Sequence, residues 1–156
     1  MSSPAVRELR FGDLDALLDL YRHMHASDAP LPERPQVEQI WREICDDARY
    51  LYLGIDRDQQ LVASCTVSII PNLTRGARPY GVIENVVTHA DVRRKGLAHT
   101  VVAAALDRCW ARNCYKAMLL SGTGRDAAHA LYEGLGFDAT AKQAFVAYPP
   151  KPGEVS

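Results

Sequence analysis

The chain has 156 residues, of which 47% are hydrophobic and 24% are charged, and its formal net charge is -1. This composition is typical of one globular domain, and it gives no reason to expect a nucleic-acid-binding or membrane-associated protein. The four cysteines form no C-x-x-C pair and the chain shows no apolar leader, which predicts a reduced, cytoplasmic protein. We expect a single domain over residues 1–156, with a core at about 5–148 and a flexible tail at 149–156.

The spacing of apolar residues predicts strands and helices that alternate along the chain. The predicted order is β-α-α-β-β-β-α-β-α-β(-β), with a proline-rich loop at 28–35 between the first two helices and a last strand or strand pair within 137–148. Such an order predicts an α/β (α+β) fold, in which a mixed, mostly antiparallel central sheet carries helices on both faces.

One stretch, from Gly81 to His99, combines a strand, a basic turn and the start of a helix. Val82, Glu84 and Val86 share one face at the strand period of two, so we expect the glutamate to be partly buried among apolar residues. The turn from Arg93 to Ala98 leads into a helix whose first amides have no partner within the helix, which makes it a receptor for an anion such as a phosphate.

A second glycine-rich turn runs from Gly122 to Ala127 and formally fits G-x-G-x-x-[GA]. A dinucleotide site also requires an acid about 20 residues further on, and the segment 140–150 contains none. This turn is therefore interpreted as a flexible connection.

Two motifs in this order carry a family resemblance. Arg93-x-x-Gly96-x-Ala98 lies on a strand-turn-helix, and Ala128-x-x-Leu131-Tyr132-x-x-Leu135-Gly136-Phe137 follows after one more strand. Together they resemble the GNAT family of N-acetyltransferases over residues 6–148. The family often has glycine where Arg94 and Ala98 stand here. The resemblance implies the GNAT fold, and it implies acetyl-CoA as the co-substrate, with no metal.

The resemblance also implies where acetyl-CoA binds. The pyrophosphate would lie on backbone amides at the start of the helix, those of Arg94, Lys95, Gly96, Leu97 and Ala98. Arg93, Arg94 or Lys95 would add positive charge. The backbone from Val86 to Thr88 would pair with the pantetheine arm as an added strand. The amide of Val86 or Val87 would stabilise the tetrahedral oxyanion.

Aminolysis of a thioester requires a neutral amine and a proton for the leaving thiolate. The resemblance assigns the base to Glu84, acting directly or through water, and the acid to Tyr132. Two other interpretations stay open: Glu84 salt-bridged to Arg75 or Arg78, and Tyr132 packing its ring against the core.

Ile83-Glu84-Asn85-Val86-Val87, with the segment 113–116, is similar to the glucosamine-phosphate N-acetyltransferases. This favours a small-molecule amine as acceptor, with Asn85 among its contacts. Arg75 and Arg78 could meet an anionic group on that amine. A protein or peptide amine, or a non-catalytic acyl-CoA-binding sensor module, are the alternatives. A homodimer is expected because family members often dimerise. The five histidines show no metal-ligand spacing, so no metal site is expected.

Overall fold

The computed structural model describes residues 4–25 and 27–153, and it divides into two compact units, Met1–Leu119 and Leu120–Ser156. The single domain stays a prediction, and residues 154–156 of the expected flexible tail lie outside the described residues. The first unit contains β1 (Arg7–Glu8), α1 (Leu14–Tyr21), α2 (Arg34–Asp46), β2 (Tyr50–Arg57), β3 (Gln60–Ile70), the single turn α3 (Thr74–Ala77), β4 (Tyr80–Thr88), α4 (Leu97–Ala111) and β5 (Ala117–Leu119).

β2 and β3 form an antiparallel hairpin. Asp58 and Gln59 connect the strands, and both have positive φ angles, 49° and 64°. Two such residues match the twist of the flanking strands, as in a type I′ turn. The local sequence therefore sets the register in which β2 and β3 pair.

The sheet has the order β1-β2-β3-β4-β5. Neighbouring strands are antiparallel from β1 to β4, and β5 pairs with β4 in parallel after the crossover through α4. That parallel pairing covers only three residue pairs, from Gly81 opposite Ala117 to Ile83 opposite Leu119. From Glu84 onward β4 has no strand partner on that side among the residues that the structure describes. The predicted mixed, mostly antiparallel sheet is confirmed.

Helices cover both faces of this sheet, as predicted. On one face, α1 packs against β3 and β4 and α2 packs against β2. Their apolar cluster includes Leu17, Leu20, Trp41 and Val87. On the other face lies α4, and the Cys65 thiol of β3 donates to the Val101 carbonyl of that helix at 3.5 Å. The central strands are thus buried from both sides, which fixes the position of β4.

Gly81 allows α4 to approach the sheet closely. A Cβ atom at this position would stand 2.4 Å from the Cys109 sulfur, a distance that no packed structure sustains. The absence of a side chain at Gly81 thereby sets how closely α4 packs on the start of β4.

The second unit contains α5 (Asp126–Gly134). Its C-terminal end is closed by the amide of Phe137, which donates to the Tyr132 carbonyl at 3.1 Å, while Gly136 takes a φ of 92°. The rings of Tyr132 and Phe137 meet edge to face at 5.9 Å. The motif that ends in Leu135-Gly136-Phe137 therefore forms a helix with a glycine C-terminal cap.

The predicted last strand is wrong for the described part of the chain, because residues 138–150 contain no strand. A strand needs a neighbour for its amides and carbonyls, and the described residues provide none there. The large side chains of this segment are instead exposed, with Phe145 87% and Tyr148 84% accessible.

None of the helices in the described ranges has the length and apolar character needed to span a lipid bilayer.

Candidate active site

The centre of the candidate site is a β-bulge in β4. Thr66 of β3 lies opposite Glu84, and Ser64 lies opposite Val87, so three steps along β4 match two along β3. The extra residue bends the strand and disturbs the ladder locally. Asn85, inside the bulge, has a φ of 51°, a left-handed conformation that a residue other than glycine adopts only at a cost.

The bulge changes which side chains share a face. Val82, Glu84 and Val87 lie opposite the alternating residues 68, 66 and 64 of β3, so these three share the face of α1 and α2. The predicted grouping of Val82, Glu84 and Val86 is therefore wrong for Val86. The reason is that one inserted residue inverts the alternation beyond it.

Glu84 is exposed, so the expectation of partial burial is also wrong. Its side chain forms no ion pair with Arg75, Arg78 or any other residue within the described ranges. Its backbone is well held, because the Thr66 hydroxyl donates to the Glu84 carbonyl at 3.1 Å. A carboxylate on a fixed backbone and open to solvent can take a proton from an incoming ammonium group, directly or through water.

Tyr21, the last residue of α1, lies beside the bulge. Its hydroxyl is shielded from solvent and meets no partner of good hydrogen-bond geometry. Burial raises the pKa of Tyr21 far above its ordinary value, while the nearby Asn85 side chain acts in the opposite direction. Tyr21 is therefore a neutral phenol next to the strained residue of the bulge.

The basic turn after β4 has the backbone of an anion receptor. Arg94 and Gly96 both adopt the left-handed region, with φ angles of 62° and 74°, and α4 begins directly after Gly96. No atom lies within 4 Å of where a Gly96 Cβ would stand. The turn thus directs free amides of the 15-residue α4 to open space, with the exposed Arg94 and Lys95 beside them. A residue other than glycine adopts the φ of Arg94 only at a cost.

Arg93 points elsewhere. Its Nε donates to the Thr88 carbonyl at 3.3 Å, and its Nη2 donates to the His23 carbonyl at 2.7 Å. The guanidinium therefore joins the end of β4 to the residue that follows the C-terminal turn of α1.

Arg75 and Arg78 are not brought to Glu84. Arg78 donates to the carbonyls of Asn113 and Cys114 at 3.2 Å each, and the Arg75 guanidinium stands 6.0 Å from the ring centre of Tyr115. Both precede β4, and at about 3.3 Å per strand residue Arg78 lies roughly 20 Å along the chain from Glu84. Arg78 therefore joins the loop before β4 to the segment that follows α4.

Tyr132 lies at mid-helix in α5, half-buried, with its ring on Phe137. Because it belongs to the second unit, its role as the acid stays a prediction.

Sequence reasoning missed Tyr21 and His89. By its spacing, Tyr21 is one more residue of the apolar face of α1. Its proximity to Asn85, 64 residues further along the chain, becomes visible only in the structure. His89 has no distinctive spacing in the sequence. What sets it apart in the structure is the contact of its ring with that of His23. Within the described residues, no group of three or more histidine, cysteine or acidic side chains could hold a metal ion.

A bulged strand that parts from its neighbour, followed by a left-handed turn and a helix N-terminus, defines a site for an extended ligand with an anionic group. The family model for the Acetyltransferase (GNAT) family matches residues 14–137. The chain belongs to the GNAT family of acetyltransferases, whose co-substrate is acetyl-CoA.

The chain is also similar to an individual acetyltransferase. The glucosamine 6-phosphate N-acetyltransferase of Trypanosoma brucei brucei is 33% identical over 84 residues, which are 54% of this chain and 55% of that protein. The chain thus matches about half the length of this curated relative.

Two solved structures match nearly the whole chain. A putative acetyltransferase from Agrobacterium tumefaciens is 35% identical with a TM-score of 0.84, covering 92% of this chain and 99% of its own. The glucosamine-6-phosphate N-acetyltransferase of Arabidopsis thaliana is 20% identical with a TM-score of 0.81, covering 95% of this chain and all of its own. At that lower identity the second likeness shows the fold alone.

Proposed function

We propose that the protein is an acetyl-CoA-dependent N-acetyltransferase that moves the acetyl group to the primary amine of a small molecule, by direct attack in a ternary complex. The observation that carries this proposal is the joint geometry of β4 and α4. β4 parts from β5 after Ile83, bulges at Asn85, and leads through the left-handed Gly96 into the free amides of α4.

Acetyl-CoA would use this geometry along its length. The amides of residues 94–98 would hold the pyrophosphate, with the exposed Arg94 and Lys95 adding charge. The unpaired side of β4 at Val86, Val87 and Thr88 would accept the pantetheine amides, as an added strand would. The bulge beside it would direct the amide of Val86 or Val87 at the thioester oxygen.

The chemical step would proceed by proton transfer and addition. Glu84 takes a proton from the ammonium group, directly or through water, and the free nitrogen attacks the thioester carbonyl carbon. The C–S bond breaks when the tetrahedral intermediate collapses, and the thiolate leaves with the Tyr132 proton. The nitrogen loses its second proton to solvent. Glu84 then releases its proton to solvent, and the Tyr132 phenolate takes one up, which restores the enzyme. Holding both substrates together supplies about 7–11 kcal/mol of the barrier reduction.

A small amine is favoured over a protein amine as the acceptor. The supporting observations are the Glu84-Asn85 pair on the bulge and the likeness to a glucosamine 6-phosphate N-acetyltransferase over half its length. Asn85 would contact the acceptor. Arg75 and Arg78 would meet an anionic group on the acceptor, and Arg78 would have to leave the carbonyls of Asn113 and Cys114 to do so.

The test measures free thiol released from acetyl-CoA by the full chain across a panel of amines. The panel contains D-glucosamine 6-phosphate, D-glucosamine, a polyamine, an aminoglycoside and peptides with free α- and ε-amines. Turnover with a small amine, lost in Glu84→Gln, is expected. Turnover with peptides alone would favour the protein acetyltransferase. Binding of acetyl-CoA without turnover for any amine would favour the non-catalytic acyl-CoA-binding sensor module.

We also propose a cytoplasmic homodimer. Four cysteines without disulfides fit a reducing compartment, and the exposed Phe145, Val146 and Tyr148 offer apolar surface for a partner. Sedimentation equilibrium of the chain and of a variant truncated after residue 137 tests this. A dimer that becomes monomeric on truncation is expected, and a monomeric full chain would contradict it.

A further inference from the structure

We propose that Arg93 is a positioning residue that fastens the end of α1 to the pyrophosphate turn, and that it does not contact the pyrophosphate. The inference rests on the proposed function, because it assigns the turn to acetyl-CoA. Its evidence is a set of three contacts between His23, just after α1, and the segment 89–93, which together we name the α1 clasp.

The first contact is the guanidinium of Arg93. Its Nη2 donates to the His23 carbonyl at 2.7 Å, and its Nε donates to the Thr88 carbonyl at 3.3 Å. A hydrogen bond from a charged donor to a carbonyl is stronger than one between neutral groups. One planar fork thus bridges two elements, which a point charge such as lysine does less well.

The second and third contacts involve the rings of His23 and His89. The ring centres lie 3.9 Å apart at 38°. The amide of Ala90 donates to His23 Nδ1 at 3.3 Å, and the amide of Asp91 donates to His89 Nδ1 at 3.2 Å. Both Nδ1 atoms therefore accept a hydrogen bond from a backbone amide.

Two charged side chains of the described residues lie at the α1 clasp, those of Asp91 and Arg93. The carboxylate of Asp91 lies 3.8 Å from His89 Nδ1 and is highly exposed. Arg93 is the cation in direct contact, through the His23 carbonyl. No ion pair holds Arg93 among the described residues, so its donors are directed at carbonyls and not at a carboxylate.

The α1 clasp joins the pyrophosphate turn to the end of α1. Residues 27–33, in the connection from α1 to α2, are exposed and free of regular structure. Binding of CoA orders the turn and, through Arg93, the end of α1 as well.

The experiment compares Arg93→Gln with Arg94→Gln, which removes the neighbouring cation. Dissociation constants are measured for CoA and for pantetheine, which lacks the pyrophosphate, by NMR titration. Amide hydrogen exchange is followed at His23 and Met24, whose amides are bonded to the Leu20 and Tyr21 carbonyls at 3.0 Å.

We expect Arg94→Gln to lower the preference for CoA over pantetheine and to leave the exchange of His23 and Met24 unchanged. We expect Arg93→Gln to keep that preference and to speed the exchange of both amides about tenfold. In the wild type CoA should slow this exchange, and in Arg93→Gln the slowing should be lost.

A reduced preference for CoA in Arg93→Gln overturns the proposal, because it makes Arg93 a phosphate ligand. Unchanged exchange in Arg93→Gln also overturns it. Failure of the proposed function is separate, since it appears in the wild type as binding of neither CoA nor pantetheine.

Discussion

Thr66 stands directly opposite Glu84 across β3 and β4, and its hydroxyl donates to the Glu84 carbonyl at 3.1 Å. This is the last regular pair before the bulge, so the hydroxyl supports the backbone of the proposed base. Thr66→Val keeps the shape and removes the donor, and we expect it to lower the free energy of unfolding by about 1 kcal/mol. Urea denaturation measures the change, and Thr66→Ser, which keeps the hydroxyl, is the control. If the valine variant is as stable as the wild type, the hydroxyl does not hold the bulge.

Gly96 tests the pyrophosphate turn. Aspartate there places a negative charge at the start of α4 and strains a backbone with a φ of 74°, so we expect Gly96→Asp to weaken acetyl-CoA binding more than about tenfold. Calorimetric titration measures the affinity. Gly96→Ala carries the strain without the charge and should lose less. Equal affinity in Gly96→Asp and the wild type would remove the assignment of the turn.

Tyr132 tests the proton donor. Tyr132→Phe keeps the ring that packs on Phe137 and removes the hydroxyl, so kcat should fall by about a hundredfold or more while acetyl-CoA affinity changes little. Steady-state kinetics with the amine found active in the panel measure this. Tyr148→Phe, at an 84% exposed position, is the matched control in the same unit. Losing affinity and kcat equally would argue for a packing role.

Substitution of Arg78 distinguishes a structural role of this residue from a contact with the acceptor. Because it donates to the carbonyls of Asn113 and Cys114, Arg78→Ala should lower the free energy of unfolding by about 1 kcal/mol. Arg75→Ala should cost less, because the Arg75 guanidinium lies 6.0 Å from the centre of the Tyr115 ring. Thermal and urea unfolding provide the comparison. A raised acceptor KM with unchanged stability would return Arg78 to the acceptor site.

The cysteines should differ sharply in reactivity. Burial raises the pKa of Cys65 and of Cys109 to about 12, and burial also raises the pKa of Cys114. Cys45 is exposed, with a pKa raised first by partial burial and then by Asp46. Iodoacetamide at pH 7.5 should therefore label Cys45 first, faster as pH rises because the thiolate reacts. Mass spectrometry counts the labels. Cys45→Ser should remove this early label, and early labelling of Cys109 would show that α4 opens.

Local features of the sequence predicted much of this structure. The hairpin turn at Asp58 and Gln59 and the capped end of α5 each depend on a few adjacent residues, and the strand-turn-helix at Gly96 formed as expected. The bulge was not predictable, because it depends on the register of β4 against β3 and not on either strand alone.

Contacts across long stretches of chain account for the other differences. Arg78 and Asn113 are 35 residues apart, and Arg93 and His23 are 70 apart, so composition and spacing could not assign these guanidinium groups to carbonyls. The segment 138–150 has the apolar alternation of a strand, but a strand also needs a neighbouring strand, which a linear pattern does not specify.

The early parting of β4 from β5 leaves the row of polar backbone groups beyond Ile83 without a strand partner in the described structure. An open strand edge is a template on which another chain can add by hydrogen bonding. A cell short of acetyl-CoA would therefore hold this protein in its most aggregation-prone form. The bound co-substrate would cover the open edge of β4. Purification and storage with CoA should therefore yield a more soluble preparation.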